Sequence, residues 1–168
     1  RQVSCNVHKQ ARLALQFFYR VTLGRDWVVA KVACPKAPNT LPVVLSQDEM
    51  ARFLDALDNP KHRALLMTAY AGGLRLSEVA RLRVEDIDSA RMVIHVRQGK
   101  GQKDRDVMLS PRLLAVLRDY WKLQRPGPFL FPGRTPDRPV SVRTVQMVCQ
   151  RALAASGLGK HVHMHTLR

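Results

Sequence analysis

The sequence predicts an α+β fold that is mainly helical and carries one small antiparallel β-sheet. Apolar residues recur at helical spacing in most segments, and several of these segments open with a residue that caps helices. Two short segments alternate between apolar and polar residues instead, which is typical of strands, and a turn rich in glycine and lysine joins them. A third observation is a run with three prolines in eight residues within 34–43, which predicts a linker.

The first segment, Ser4 to Leu23, predicts an amphipathic helix with a basic outer face. Its apolar residues recur every three to four positions, and lysine, arginine and glutamine stand between them. Gly24 is expected to end the helix, because glycine readily takes the left-handed conformation of a C-cap. One helix cannot bury its apolar face alone. We therefore expect residues 1–33 to pack on the second part of the chain or to be the remainder of a helical domain.

The second part of the chain contains five predicted helices. Ser46 with Glu49 forms a capping box, and Pro60 follows Asn59 at a first helical position. Ser77 is expected to cap a short helix. The predicted helices run from Ser46 through about Leu57, from Pro60 to Gly72-Gly73, from Ser77 past Leu82, from Pro111 to about Arg125, and from Ser141 to about Ser156.

The strand signals lie between the third and fourth of these helices. Met92, Ile94 and Val96 alternate with polar residues, and so do Val107 and Leu109 after the turn at 99–103. These segments predict a β-hairpin. The segment 129–131 (Phe-Leu-Phe) predicts a short buried strand or extended piece. The residues expected to pack in helical cores include Tyr19, Tyr70, Tyr120 and Trp121.

The charge of the chain points to a polyanion. Twenty-eight lysine and arginine residues face thirteen aspartate and glutamate residues, for a net charge of +15. The basic residues are interleaved with apolar ones, so they decorate a folded surface rather than form a disordered arm. Nucleic acid is the expected partner of such a surface. The alternative that charge alone leaves open is a ribosome-associated or merely basic protein.

Other features of the composition narrow the cellular setting. No uncharged run approaches the ~18 apolar residues that a membrane span needs, and no secretory signal opens the chain. The three cysteines are odd in number and far apart, so they are interpreted as free thiols in a reducing cytoplasm. Because the first residue is Arg1 and not methionine, the sequence is interpreted as a fragment or a trimmed form.

Four short motifs stand in order along the second part. They are AGGLRLSE at 71–78, GKGQKDR at 99–105, FLFP at 129–132 and HTLR at 165–168. In this order and spacing they resemble the catalytic domain of the tyrosine recombinases, the phage integrase and Xer-type family. The resemblance covers about Leu45 to the end. It implies that residues 44–168 form a catalytic domain, incomplete at its C-terminus, that 34–43 link the domains, and that 1–33 end a helical core-binding domain.

The resemblance also implies an activity and the residues that carry it. Members break and rejoin DNA at specific sites through a 3′-phosphotyrosyl intermediate, without a metal or other cofactor. Arg75 and Arg168 correspond to the family's two catalytic arginines, whose planar forks suit the oxygens of a phosphoryl transition state. Lys100 corresponds to the hairpin lysine that protonates the leaving 5′ oxygen, and His165 to the histidine of the H-x-x-R pair. Glu78 matches an acidic position that supports Arg75.

Further basic residues are expected to contact DNA. Lys103 and Arg105 are interpreted as phosphate contacts, with a second proton donor as the alternative. Arg143 stands just after the expected Ser141 cap, where phosphates bind favourably, although a solvated position is as compatible with the sequence. Double-stranded DNA is the implied partner, and the family implies self-association on DNA as a tetramer.

Two features of the sequence leave other interpretations open. The family's nucleophilic tyrosine lies beyond the H-x-x-R box, so this stretch alone is expected to be inactive, and a non-catalytic DNA-binding module or a decayed recombinase fragment is the alternative. His161, His163 and His165 would share one face if they lay on a strand and could then bind zinc. That hypothesis leaves Arg75 and Lys100 unexplained.

Overall fold

The computed structural model describes residues 4–25, 43–97, 104–160, 162–164 and 166. The chain divides into two compact units, Arg1–Leu41 and Pro42–Arg168. Of the predicted linker at 34–43, only Val43 lies within the described residues. Within the described part, no helix has the length and apolar character needed to cross a membrane.

The first unit contains helix α1, Cys5–Phe17, which continues into a π-helical turn at Phe18–Thr22. Ser4 caps α1, since its hydroxyl accepts a hydrogen bond from the Val7 N–H at 3.5 Å. Gly24 has a φ of +62°, the left-handed conformation expected at the end of this helix. No side chain of α1 is buried, so its apolar stripe remains exposed.

Among its described residues the second unit contains five helices, and four of them start at the predicted positions. Ser46 and Glu49 form the predicted capping box, and the Asn59 side chain accepts from two N–H groups beyond Pro60. Ser110 and Ser141 cap the last two helices through their hydroxyls. The helices are α2 (Gln47–Asp55), α3 (Pro60–Ala71), α4 (Leu76–Arg81), α5 (Pro111–Gln124) and α6 (Val142–Ser156).

The sheet has three antiparallel strands in the order β1 (Ile87–Asp88), β2 (Val93–Val96) and β3 (Arg105–Met108). Strands β2 and β3 form the predicted hairpin, with Ile94 opposite Val107 and Val96 opposite Arg105. Its turn, 98–103, lies outside the described residues. The prediction missed β1 and the 3₁₀ turn at Val84–Asp86 before it. A strand of two residues is too short to show alternation.

The helices pack with the sheet around one core in this unit. Tyr120 is buried, its hydroxyl donates to the Leu130 carbonyl at 2.9 Å, and its ring stacks on Phe131 at 5.6 Å. The Leu130 N–H donates to the Leu82 carbonyl at 2.8 Å. The predicted strand or extended piece at 129–131 is thus a single β-bridge between Phe129 and Arg83 followed by a bend, and Leu130 and Phe131 are buried. Other large buried side chains are Phe53, Leu65, Leu66, Leu74, Ile94 and Leu113.

Three local predictions are wrong. Tyr70 is 43% exposed and Trp121 is 45% exposed, although both were expected in the core. A helix turns by about 100° per residue, so Ala69 and Tyr120 occupy the inward positions next to them. Ser77 does not cap α4. The N-cap is Arg75, because the Glu78 carboxylate reaches back to accept the Arg75 N–H.

Candidate active site

A tight turn between α3 and α4 places Arg75. Gly73 has a φ of +56°, which glycine adopts without steric cost. A Cβ on Gly72 would lie 3.1 Å from both the Leu74 side chain and the Thr68 carbonyl, so this position has little space for one. The turn sends Leu74 into the core, where its N–H donates to the Ala69 carbonyl at 3.0 Å. Arg75 follows in extended conformation at the start of α4 with its side chain 30% exposed.

The carboxylate of Glu78 lies between two arginines. The Arg75 N–H donates to Oε2 at 2.7 Å, and the Arg75 Nη1 donates to Oε1 at 2.9 Å. From strand β3, Arg105 donates Nη1 to Oε1 and Nη2 to Oε2, both at 2.8 Å. Each carboxylate oxygen therefore accepts two hydrogen bonds, and the Arg105 contact is a bidentate fork.

This arrangement keeps Glu78 ionised. The hydrogen bonds from Arg105, followed by those from Arg75, lower the pKa of Glu78 from 4.5 to about 2, although burial by itself would raise it. The same contact raises the pKa of Arg105. Two positive groups and one negative group leave the cluster with one surplus positive charge. The cluster can therefore bind an anion at its exposed edge, where part of the Arg75 side chain reaches solvent.

The remaining predicted catalytic residues, Lys100, His165 and Arg168, lie outside the described residues, and so does Lys103. The described residues beside His165 are anchored in the second unit. Val162 and Met164 are buried, and the His163 carbonyl accepts the Thr166 N–H at 2.8 Å. The assignments of these residues stay predictions.

Two predictions about surface residues can be placed. Arg143 is exposed at the second position of α6, next to the Ser141 cap, and its DNA contact stays a prediction. Of the three histidines in the zinc hypothesis, only His163 lies within the described residues, and it is exposed. Across the described ranges, no three histidine, cysteine or acidic side chains are grouped so that they could hold a metal ion.

The sequence interpretation missed a cavity beside Glu78. It has a volume of about 480 Å³, and its charged lining includes Arg81, Arg83 and Arg97. The Arg83 guanidinium lies 5.7 Å from the centre of the Phe129 ring. These arginines are spread over 17 positions in the sequence, from 81 to 97, and no local pattern marks them as neighbours.

The family of the chain follows from a comparison with family models. Residues 43–168, which hold the whole arrangement around Glu78, match the model described as the phage integrase family. The chain belongs to the phage integrase family. Among its curated relatives is the putative integrase/recombinase y4qK of Sinorhizobium fredii, which is 53% identical over 156 residues, covering 92% of this chain and 51% of the relative. Tyrosine recombinase XerA of Pyrococcus horikoshii is 32% identical over 158 residues, covering 92% of this chain and 54% of XerA.

Solved integrase-family structures share the fold. A crystal structure of XerA recombinase superimposes with a TM-score of 0.69 at 27% identity, covering 98% of this chain and 60% of that one. A lambda integrase dimer bound to a COC′ core site gives a TM-score of 0.74 at 21% identity, covering 93% of this chain and 61% of that one. The chain thus spans about half the length of the two curated relatives named here.

Proposed function

We propose that residues 44–168 of this chain belong to the catalytic domain of a site-specific DNA recombinase that works through a 3′-phosphotyrosyl intermediate. The observation that carries the proposal is the geometry of Arg75. Within a family of recombinases, this arginine is held at a turn by Glu78, in a cluster with one surplus positive charge. A phosphodiester is the anion that such a cluster in a DNA recombinase would bind.

Double-stranded DNA is the proposed substrate. The net charge of +15 favours association with a polyanion, and the lambda integrase neighbour is described as bound to its core site. Another lambda integrase neighbour is described as a tetramer bound to a Holliday junction. We propose that the full-length protein, meaning this chain within a polypeptide of its relatives' length, likewise assembles as a tetramer on DNA. We also propose that it acts in the cytoplasm.

The proposed reaction assigns each residue one task. The oxygen of a tyrosine beyond the H-x-x-R box forms a bond to phosphorus, and the bond to the 5′ oxygen breaks. Arg75 and Arg168 donate to the non-bridging oxygens, whose charge grows in the transition state. Lys100 gives a proton to the departing 5′ oxygen, and His165 donates to the phosphate or assists the transfer of the tyrosine proton. Chemistry of this kind needs no metal ion.

The test is covalent trapping with the full-length protein. A nicked recombination site releases a short 5′-hydroxyl fragment after cleavage, so the protein stays joined to the 3′ end and can be counted on a denaturing gel. We expect an adduct in the wild type, with EDTA present, and none after substitution of the tyrosine. An adduct that requires zinc would favour the histidine hypothesis. Binding of duplex DNA without any adduct would favour the non-catalytic module.

A further inference from the structure

Arg105 makes a contact with Glu78 that its sequence position does not suggest. Both of its terminal nitrogens are directed at Glu78, 27 residues earlier, and its side chain is 33% exposed. The Glu78 side chain is only 4% exposed. The pair joins strand β3 to the first turn of α4 and to the loop that carries Arg75.

The two arginines contact Glu78 with different sets of donor groups. Arg105 contributes two side-chain bonds, whereas Arg75 contributes its N–H and one of its three guanidinium nitrogens. Nε and Nη2 of Arg75 therefore remain outside this contact. A guanidinium held at one nitrogen by a fixed carboxylate has a defined plane, and its outer edge can receive a phosphate.

The positive charge of Arg105 has a second effect, on the net charge of the cluster. Without Arg105, the negative charge of Glu78 would cancel the positive charge of Arg75, and a phosphate would meet a neutral ion pair. With Arg105 in place, the three groups keep one positive charge. The other charged groups that line the adjoining cavity are Arg81, Arg83, Arg97 and Asp86, and Arg97 is directed at Asp86.

We propose that Arg105 is a positioning residue for DNA cleavage: it holds Glu78 with a bidentate fork and thereby fixes the guanidinium of Arg75 and preserves its charge for the scissile phosphate. This inference rests on the proposed function. It replaces the phosphate contact expected of Arg105 from the sequence. Because Arg105 begins β3, five positions after Lys100, the same pair anchors the strand that follows the predicted hairpin lysine.

The experiment compares Arg105→Gln with Arg97→Gln in the full-length protein. Arg97 is a matched control, because it also lies beside the sheet and donates Nε to a buried carboxylate, that of Asp86, at 2.7 Å. Single-turnover adduct formation is measured at saturating DNA, with DNA affinity and thermal stability measured alongside. We expect Arg105→Gln to lower the rate about 10–100-fold, by analogy with the loss of groups that orient metal ligands, with little change in affinity. Arg97→Gln should keep the wild-type rate at a similar loss of stability.

Two further variants separate positioning from folding. Arg105→Lys retains the charge but not the fork, so it should stay well below the wild-type rate. Arg105→Ala should regain part of its rate when guanidinium is added at sub-denaturing concentration, and Arg97→Gln should not respond. Arg75→Ala shows whether the assay depends on Arg75. If it is inactive while Arg105→Gln and Arg97→Gln cleave at equal rates, the inference is overturned. If the wild type itself forms no adduct, the proposed function fails first and the inference with it.

Discussion

Two buried carboxylates, Glu78 and Asp86, make the same capping contact with an arginine N–H but differ in the net charge of the ion pairs around them. Glu78 accepts the N–H of Arg75 three residues earlier, and Asp86 accepts the N–H of Arg83 three residues earlier, at 2.9 Å. Each carboxylate also receives an arginine from the sheet region. Arg105 reaches Glu78, and Arg97 reaches Asp86.

The difference lies in where the capping arginine directs its guanidinium. The side chain of Arg75 turns back to Glu78, whereas that of Arg83 contacts Glu85 at 3.2 Å and lies over Phe129. Arg97 also contacts Glu85, so the ion pairs around Asp86 join two positive groups to two negative ones, and Asp104 adds a further negative charge near Arg97. The cluster around Glu78 keeps one positive charge. The same capping geometry is thus fully paired with acids around Asp86 and leaves a surplus positive charge around Glu78.

Substitutions in the two clusters should differ most in their effect on the cleavage rate. Arg75→Ala in the full-length protein should lower adduct formation on the order of 10²–10³-fold, because a preorganised donor to the transition state is lost. Arg75→Lys should also fail, since an ammonium cannot form the planar fork. Arg83→Ala is the control and should stay near the wild-type rate. An Arg75→Ala protein that forms adduct as fast as the wild type would show that the assignment is wrong.

Lowering the pH should reduce the stability that the Glu78 ion pairs give to the fold, because Glu78 binds a proton more readily in the unfolded chain. The folded-state pKa of Glu78, about 2, lies below its ordinary value of 4.5, so its contribution to stability is complete above pH 4.5 and is lost as the pH falls toward 2. The shift corresponds to about 3 kcal/mol. The free energy of unfolding of the second unit, measured in urea between pH 6 and pH 2, tests this value. Glu78→Gln should remove this part of the pH dependence, whereas Asp86→Asn should leave it unchanged.

At neutral pH, neutral replacements of the two acids should cost similar stability but differ in activity. Glu78→Gln is expected to lower the free energy of unfolding by about 2 kcal/mol, less than a fully buried ion pair loses, because Arg75 and Arg105 are partly exposed and can turn to water. Asp86→Asn should have an effect of similar size on unfolding. Only Glu78→Gln should also slow cleavage. A normal cleavage rate in Glu78→Gln, with the loss of stability present, would limit Glu78 to a structural role.

The smallest expected effect concerns DNA affinity. If Arg143 at the start of α6 contacts a phosphate, Arg143→Ala should reduce the salt dependence of duplex binding by about one unit in the slope of log K against log salt. Lys103→Ala should act in the same way. Arg97→Gln should leave the slope unchanged, since Arg97 is paired with Asp86 and Glu85. Unchanged slopes in all three variants would remove Arg143 and Lys103 from the DNA interface.

The sequence by itself determined the starts of α2, α3, α5 and α6, the hairpin, the family motifs and the position of Arg75. These features are local. A cap or capping box joins residues two or three positions apart, as at Ser46 and Glu49 or at Asn59, and an alternating strand shows its pattern within a few residues. The Glu78 support of Arg75 belongs to this class too, because its two hydrogen bonds span three positions.

Only the tertiary structure decided the partners that come from distant parts of the chain. Arg105 reaches Glu78 across 27 positions, and which arginine arrives there depends on the register of β3 and the packing of α4. Strand β1 exists because its two residues pair with β2, and neither residue signals a strand alone. Tyr70 and Trp121 were assigned to the core from helical spacing, yet in the structure Ala69 and Tyr120 are buried beside them and these two are exposed. Burial and long-range pairing depend on how whole elements meet, and no short stretch of sequence contains that information.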